Sequence, residues 1–320
     1  MKRFVLLVAA LVYTAAAMAQ QSYPNRPLRI VIPWPPGQAT DLAGRLLALK
    51  LTEQLGQQVV PDNRPGAGGA IGTDVAAKAT PDGYTLLAAS SGPVTISPLL
   101  QKVPYDATRD LAPVANVGLS PYILVTNPKF PAANAREFVT MIKGSPGKYR
   151  FASSGTGATA HLVAEMFNAA TGLQVTHVPY KGSAPALTDV IGGDITYAIE
   201  TVAATMPHVR AGRLKAYGIS LTRTSALAPG IEPLATAANI PGFDVAAWIG
   251  VMVPSGTPKP VIDRLARAID SALQTADFRE KLAAAGLELD YRRTDDFARY
   301  LKDQHVRFSD IIRKNNIKIE

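Results

Sequence analysis

Short apolar runs alternate along this chain with longer segments in which apolar residues return every three or four positions. The runs have the length of buried strands, and glycine, proline or polar residues interrupt the chain between them. They lie at residues 28–33, 58–61, 84–89, 122–126, 149–153, 176–180, 195–200 and 214–220. Because strands that alternate with helices form sheets covered on both faces, the pattern predicts an α/β fold with two mostly parallel sheets.

The segments between these runs carry the start and stop signals of helices. Leu42, Leu46 and Leu47 share one face of a helix that follows Asp41, and Gly56 is a typical stop. Further helices are predicted from about residue 158 to Gly172, from Ser183, from Thr257 and from Thr294. Their apolar faces are expected to pack against the sheets.

The length of the chain favours two lobes of roughly 150 residues each. No linker rich in proline, glycine and serine separates them, so the chain is expected to cross between the lobes twice, near Ser120 and near Leu221. The predicted lobes are residues 20–120 together with 221–320, and residues 121–220. Such a pair would be hinged, with a cleft between the lobes.

The first residues have the pattern of a secretory signal peptide. Lys2 and Arg3 precede an apolar stretch from Phe4 to Val12, and small residues end at Ala19. The predicted signal peptide is therefore residues 1–19, and the mature chain is expected to be a soluble periplasmic protein. The sequence has no cysteine, which excludes disulfides and the cysteine that a lipid anchor needs.

The charge of the chain favours small anions over nucleic acid. Its 33 lysines and arginines exceed its 25 aspartates and glutamates, a net charge of +8, or +6 once Lys2 and Arg3 leave with the signal peptide. The basic residues are scattered, and no run of five occurs. A nucleic-acid partner is therefore not expected.

The first candidate binding segment is IVIPWPPGQATD, residues 30–41. An apolar strand gives way there to a Pro- and Gly-containing turn and then to a helix. Such a turn directs backbone N–H groups and the positive end of a helix dipole at an anion above the strand. The candidate ligand-binding residues are Trp34, Pro36, Gly37, Gln38, Thr40 and Asp41. Thr40 or Asp41 is expected to cap the helix, and Asp41 could also accept a bond from an amino group of a ligand.

A second segment of the same shape contains the strand 149–153, the loop 154–159 and a helix. Its candidate ligand-binding residues are Ser154, Thr156, Gly157, Ala158 and Thr159. Two such segments facing each other suggest a receptor that closes on an acid. The loop also matches the dinucleotide pattern G-x-G-x-x-A, but no acidic residue follows at the end of the next strand to bind a ribose.

Five more candidates lie at the carboxyl ends of strands, where α/β sheets bind ligands. They are Ser90, Ser91, Tyr180, Glu200 and Thr201. The four histidines show no spacing typical of a metal site, and His161 could face either the cleft or its neighbours. No cofactor or metal is expected.

A secreted α/β enzyme is the main alternative, because the same loop could stabilise an oxyanion. The chain has no G-x-S-x-G motif and no cysteine nucleophile, although a Ser/His/Asp triad can form from distant residues. The effector-sensing half of a regulator would share the two-lobed architecture. The signal peptide and the lack of a DNA-binding helix pair argue against that reading.

Several long motifs resemble one protein family. They are PWPPGQATD, NRPGAGGAIG, PDGYTLL, ASSGTGATAHL and HVPYKGSAPALTDVIGGDI, in this order. In order and spacing they resemble the periplasmic solute receptors of tripartite tricarboxylate transporters, the Bug family. Gln38 replaces a second glycine that is usual in the family, Ala70 replaces a common asparagine, and Trp34 replaces a smaller aromatic residue.

The resemblance implies a two-lobed periplasmic binding protein fold of type II-like topology that closes on an organic acid. In the family, backbone N–H groups, hydroxyls and water hold the carboxylate, here at residues 36–41 and 154–159. The implied partners are a small carboxylate, including di- and aromatic carboxylates, and the membrane permease subunits to which the receptor delivers it. The implied receptor is a monomer without enzymatic activity.

Overall fold

The computed structural model describes residues 23–314 and residue 317. The predicted signal peptide, residues 1–19, lies outside the described residues. In the described part the strands are β1 Leu28–Ile32, β2 Val59–Asn63, β3 Thr85–Ser90, β4 Leu111–Thr126, β5 Arg150–Ser153, β6 Thr176–Pro179, β7 Tyr197–Thr201, β8 Lys215–Ile219, β9 Ala246–Pro254 and β10 Glu288–Arg293. The helices are α1 Ala39–Leu55, α2 Ala70–Ala77, α3 Ser97–Leu100, α4 Ala107–Asp110, α5 Ala135–Lys143, α6 Thr159–Thr171, α7 Ser183–Gly192, α8 Val202–Arg210, α9 Leu234–Ala237, α10 Lys259–Leu273, α11 Ala276–Ala284 and α12 Thr294–Lys314.

The strands form two sheets that share β4. The first sheet has the order β2-β1-β3-β9-β4-β10, and the second has the order β6-β5-β7-β4-β8. The pairs β1–β2, β1–β3, β5–β6 and β5–β7 are parallel. Every pairing of β4, and that of β3 with β9, is antiparallel. The prediction of mostly parallel sheets is therefore wrong: both sheets are mixed.

Strand β4 carries the chain from one lobe to the other. Its first part pairs with β9 up to Pro121, and its second part pairs with β7 from Tyr122 onward. At the same level Tyr122 N–H donates to Ser220 Oγ at 2.9 Å, and Ser220 Oγ donates to the Val245 carbonyl at 2.5 Å. These bonds join the two crossing segments side by side, next to the cleft.

Helix α9, which follows the predicted second crossing near Leu221, packs with the core of the second sheet. Leu234, Ile240 and Phe243 join a buried cluster that includes Leu124 of β4 and Phe138 of α5. The limits predicted for the two lobes stay a prediction.

Two of the predicted helix stops are confirmed. Helix α1 ends at Gly56 with φ of 69°, and α6 ends at Gly172 with φ of 69°, a backbone conformation that glycine adopts readily. Helix α1 packs Leu47 and Leu51 against the first sheet, where Leu28 and Ile30 are fully buried. None of the helices in the described part combines the length and apolar content needed to cross a membrane.

Candidate functional site

A small cavity lies between the two lobes, beside the strand that crosses between them. Its volume is about 20 Å³, which is room for about one water molecule. The wall consists of residues from both lobes, and it includes no lysine, arginine or histidine: Trp34, Gln38, Ala39, Thr40, Ser90, Ser120, Tyr122, Ser154, Thr159, Glu200, Thr201, Ala247 and Ile249.

The turn between β1 and α1 is organised by a buried carboxylate. Asp41 accepts bonds from the Gly37 N–H at 2.9 Å, Asn63 Nδ2 at 2.7 Å and Arg45 Nε at 3.0 Å. The prediction that Thr40 or Asp41 caps the helix is wrong, because the capping position is Gln38 and its side chain makes no capping bond. Asp41 is instead the third helical residue and reaches back to the turn, so its carboxylate is occupied by protein groups.

Trp34 separates the inner cavity from a second cavity nearer the surface. Its Nε1 donates to Ser90 Oγ at 3.0 Å, and its carbonyl accepts from Asn63 Nδ2 at 2.9 Å. The outer cavity has a volume of about 210 Å³ and lies between the glycine-rich segment 66–69 and residues 179–182. Trp34 thus lines both cavities, with its indole bonded to Ser90 and its backbone carbonyl bonded to Asn63.

The loop between β5 and α6 rests on two stacked histidines. The rings of His161 and His177 lie 4.0 Å apart, and the Gly157 N–H donates to His161 Nδ1 at 3.3 Å. His177 Nε2 bonds with Ser153 Oγ at 2.7 Å. Burial lowers the pKa of His161 to about 3 and that of His177 to about 4, so both rings are neutral near pH 7. His161 therefore faces its neighbours and positions the loop.

The lobes touch each other around the inner cavity. Ser91 Oγ lies 2.8 Å from Thr159 Oγ1, and Ser97 Oγ donates to the Gly157 carbonyl at 3.1 Å. At Gly68 the backbones come so close that an added methyl group would lie 2.3 Å from the Thr156 carbonyl oxygen. The glycine-rich segment NRPGAGGAIGT, residues 63–73, thus brings its backbone directly against the β5–α6 loop.

Glu200 is the one acidic residue in the wall of the inner cavity, and it is 1% exposed. Its Oε2 accepts from Ser183 Oγ at 2.7 Å and from the Thr201 N–H at 3.3 Å. Its Oε1 has no hydrogen-bond partner. Burial raises the pKa of this carboxyl group, and the polar groups of Ser183, Ser154 and Thr201 close to it oppose that rise with a smaller effect.

Three buried polar atoms of the wall lack a partner within the protein. They are Gln38 Nε2, Ser120 Oγ and Glu200 Oε1. Buried polar atoms are normally paired, because an unmet bond costs about 1 to 3 kcal/mol. The first turns of α1 and α6 add N–H groups with no helical carbonyl to bind, and neither capping residue makes a side-chain capping bond. The cavity can therefore donate several hydrogen bonds to an anion.

The structure brings half of the sixteen predicted ligand-binding residues together in the inner wall. These eight are Trp34, Gln38, Thr40, Ser90, Ser154, Thr159, Glu200 and Thr201. Thr156 and Tyr180 line the outer cavity, and the Tyr180 hydroxyl is already bonded to Asp189. The remaining six line neither of these two cavities: Pro36, Gly37, Asp41, Ser91, Gly157 and Ala158.

Sequence reasoning missed five residues of the inner wall: Ala39, Ser120, Tyr122, Ala247 and Ile249. Ser120 and Tyr122 flank the point where β4 passes between the lobes, and a predicted crossing near Ser120 was the one signal that could have indicated them. Ala247 and Ile249 lie on β9, which was not predicted. No group of three or more described histidines, aspartates or glutamates could hold a metal ion.

Comparison with known proteins assigns this architecture to a family. A family model described as the tripartite tricarboxylate transporter family receptor matches residues 43–317. The chain belongs to this family. Protein BugT of Bordetella pertussis is 37% identical over 325 aligned residues, which cover 100% of this chain and 99% of BugT.

Two solved structures have the same fold. A Rhodopseudomonas palustris protein solved with adipate has a TM-score of 0.89 and 28% identity, covering 93% of this chain and 99% of the other. MatC of Rhodopseudomonas palustris, with bound malate, has a TM-score of 0.85 and 28% identity, covering 91% of this chain and 100% of MatC. The receptor family predicted from the motifs and the two-lobed α/β binding-protein fold are both confirmed.

Proposed function

We propose that this receptor binds an organic acid between its lobes and delivers it to the membrane subunits of a tripartite transporter. The observation that carries the proposal is the inner wall, in which Gln38 Nε2 and Ser120 Oγ are buried donors without a partner. Adipate and malate, the molecules in the two related structures, are both carboxylates that such donors suit. The proposed location is the periplasm, and the proposed functional unit is a monomer.

The inner cavity and the contacts around it favour a closing mechanism. The cavity has room for about one water molecule, so an organic acid can enter only when the lobes separate. A ligand favours the closed form only by the extra contacts that it makes there. Residues from α1, β4, α6 and β7 would together provide those contacts, and the permease would bind the closed form.

Thermal unfolding against a panel of acids tests the proposal. The panel is succinate, adipate, malate, citrate, benzoate and aspartate, each titrated against the mature protein. A ligand at 100 times its dissociation constant adds about 2.7 kcal/mol to the free energy of unfolding, which raises the midpoint visibly. We expect a saturable shift with one class of acid and recovery of that acid unchanged.

Two other outcomes would contradict the proposal. Conversion of the stabilising acid to a product would support the enzyme alternative. The absence of a shift with every acid of the panel would mean that the cavity does not bind simple carboxylates.

A further inference from the structure

The carboxyl group of Glu200 is buried in the wall of a cavity that is proposed to bind anions, which is unexpected for an acidic residue. The wall around it has no cationic side chain, and the polar groups close to the carboxyl group are the hydroxyls of Ser183 and Ser154 and the backbone N–H groups of Thr201 and Ser154. If Glu200 and a bound acid were both ionised, two negative charges would share one buried cavity. Such pairs are strongly unfavourable, and one member of the pair is normally protonated.

The hydrogen bonds of Glu200 leave one carboxyl oxygen able to carry a proton. Its Oε2 is an acceptor of two bonds, from Ser183 Oγ and the Thr201 N–H, as the carbonyl oxygen of an acid would be. Its Oε1 has no partner and belongs to the group that faces the cavity beside Gln38 and Ser120. A proton on Oε1 would make it a third donor next to the two unpaired donors.

We infer that Glu200 binds the cargo as a neutral acid, donating from Oε1 to a carboxylate oxygen, so that capture of the anion takes up one proton. The inference rests on the proposed function and names its ligand class: an acid whose bound end is a carboxylate without an adjacent ammonium group. The step forms no covalent bond. Ionised Glu200, one proton and the carboxylate end of the cargo combine into a complex in which Glu200 is neutral and the bound carboxylate keeps its single negative charge.

The surroundings of Glu200 are consistent with this protonation. The titratable group that faces it is the phenol of Tyr122 on β4, whose own pKa burial and Glu200 raise above the usual range. Ser183 faces it from α7, Ser154 from the β5–α6 loop, and Thr201 from the end of β7. Burial raises the pKa of Glu200, and a carboxylate ligand in the same cavity would raise it further.

Calorimetric titration at several pH values tests the inference. Adipate and malate are titrated into the mature protein between about pH 6.5 and 8.5, where simple carboxylates are fully ionised. Two buffers with different ionisation enthalpies report the protons taken up on binding. We expect affinity to fall as pH rises above the pKa of Glu200, by up to about tenfold per pH unit, with uptake approaching one proton.

Glu200→Gln is the decisive variant, because its amide is a permanent neutral donor at the same place. It should bind both acids at pH 8.5 as tightly as the wild type does at low pH, with no proton uptake. Glu280→Gln, an exposed change on α11, is the matched control and should titrate like the wild type. If Glu200→Gln fails to fold, the pH dependence of affinity and the proton uptake of the wild type still test the inference.

Two results would overturn the inference and leave the proposed function standing. One is wild-type binding that is independent of pH and takes up no proton. The other is loss of acid binding in Glu200→Gln at every pH, which would mean that an ionised Oε1 accepts a bond from a hydroxyl or ammonium group of the cargo. If neither acid binds the wild type at any pH, nor any other panel acid shifts its unfolding, the proposed function itself fails.

Discussion

The hydrogen-bond partners of single buried atoms distinguish residues that stabilise the fold from residues that can bind a ligand. Ser120 and Ser220 are both buried serines at the crossing between lobes, yet Ser220 Oγ has two protein partners and Ser120 Oγ has none. A buried group without a partner destabilises the folded protein and is free to bind a ligand. The pairing of each buried polar atom is therefore a better guide to function than residue type.

Ser120→Ala should weaken acid binding without loss of stability. Removing the hydroxyl leaves one ligand oxygen unpaired, at a cost of about 1 to 3 kcal/mol of binding free energy. The free energy of unfolding should stay equal or rise, because the hydroxyl has no protein partner. Calorimetry and denaturant unfolding measure the two effects. Ser220→Ala is the control, and there stability should fall because two hydrogen bonds are lost.

Asp41→Asn should weaken the binding of all acids alike, including aspartate. Its carboxylate holds the Gly37 N–H, Asn63 and Arg45, and an amide would place a donor against one of these donors. We expect a loss of stability of about 1 to 3 kcal/mol, read from denaturant unfolding. Asp263→Asn, in an exposed ion pair with Lys259, is the control. A selective loss for aspartate would show that Asp41 contacts the ligand's ammonium group.

At the scale of elements, the site depends on the hydrogen bonds that hold its two loops in place. The β1–α1 turn is supported by Asp41 and Asn63, and the β5–α6 loop is supported by His161 and His177. Sequence patterns predicted both loops and both following helices, including the stops at Gly56 and Gly172. They did not predict the supports, because Asn63 and His177 come from neighbouring strands.

The histidine pair should make stability depend on pH. The folded-state pKa values of about 3 for His161 and about 4 for His177 lie below the ordinary histidine value of 6.5, because both rings are buried. Above pH 6.5 the rings are neutral in both the folded and the unfolded chain, and their contribution to stability is fully present. As pH falls from 6.5 towards about 4, the unfolded chain binds protons that the folded rings do not. Each histidine then lowers the free energy of unfolding by up to about 1.4 kcal/mol per pH unit.

Denaturant unfolding between pH 7 and 4 measures this dependence. In His177→Gln the new side chain should still bond with Ser153. The pH dependence of the free energy of unfolding should fall by the contribution of one histidine. His305→Gln, at an exposed position on α12, should leave the dependence unchanged. Equal slopes for the wild type and His177→Gln would contradict the assignment.

For the whole molecule, the contacts between lobes determine whether the closed form exists. The closest is that of Gly68 in the first lobe with the Thr156 carbonyl of the second, where only a residue without a side chain fits. Hydrogen bonds of Ser91 with Thr159 and of Ser97 with Gly157 surround it. Closure is thus sensitive to one methyl group at a position that contributes no side chain to the inner cavity.

Gly68→Ala should hold the lobes apart. Its methyl group would lie 2.3 Å from the Thr156 carbonyl oxygen, so we expect acid affinity to fall on the order of tenfold or more. Small-angle scattering with saturating adipate should show a larger radius than for the wild type. Gly56→Ala is the matched control, since its φ of +69° resembles the +62° of Gly68 and nothing lies within 4 Å of its added methyl group. Similar affinity losses in both variants would assign the effect to backbone strain.

The sequence by itself determined the α/β class, the two binding loops and eight residues of the inner wall, because these follow from local periodicity and turn chemistry. It did not determine the mixed sheets, since β9 and β10 were not predicted as strands and the antiparallel pairings of β4 join distant segments. Nor did it determine that Asp41 is occupied while Ser120 and Glu200 Oε1 are free. The pairing of a buried atom depends on neighbours brought together only by folding, and those neighbours lie far apart in the chain.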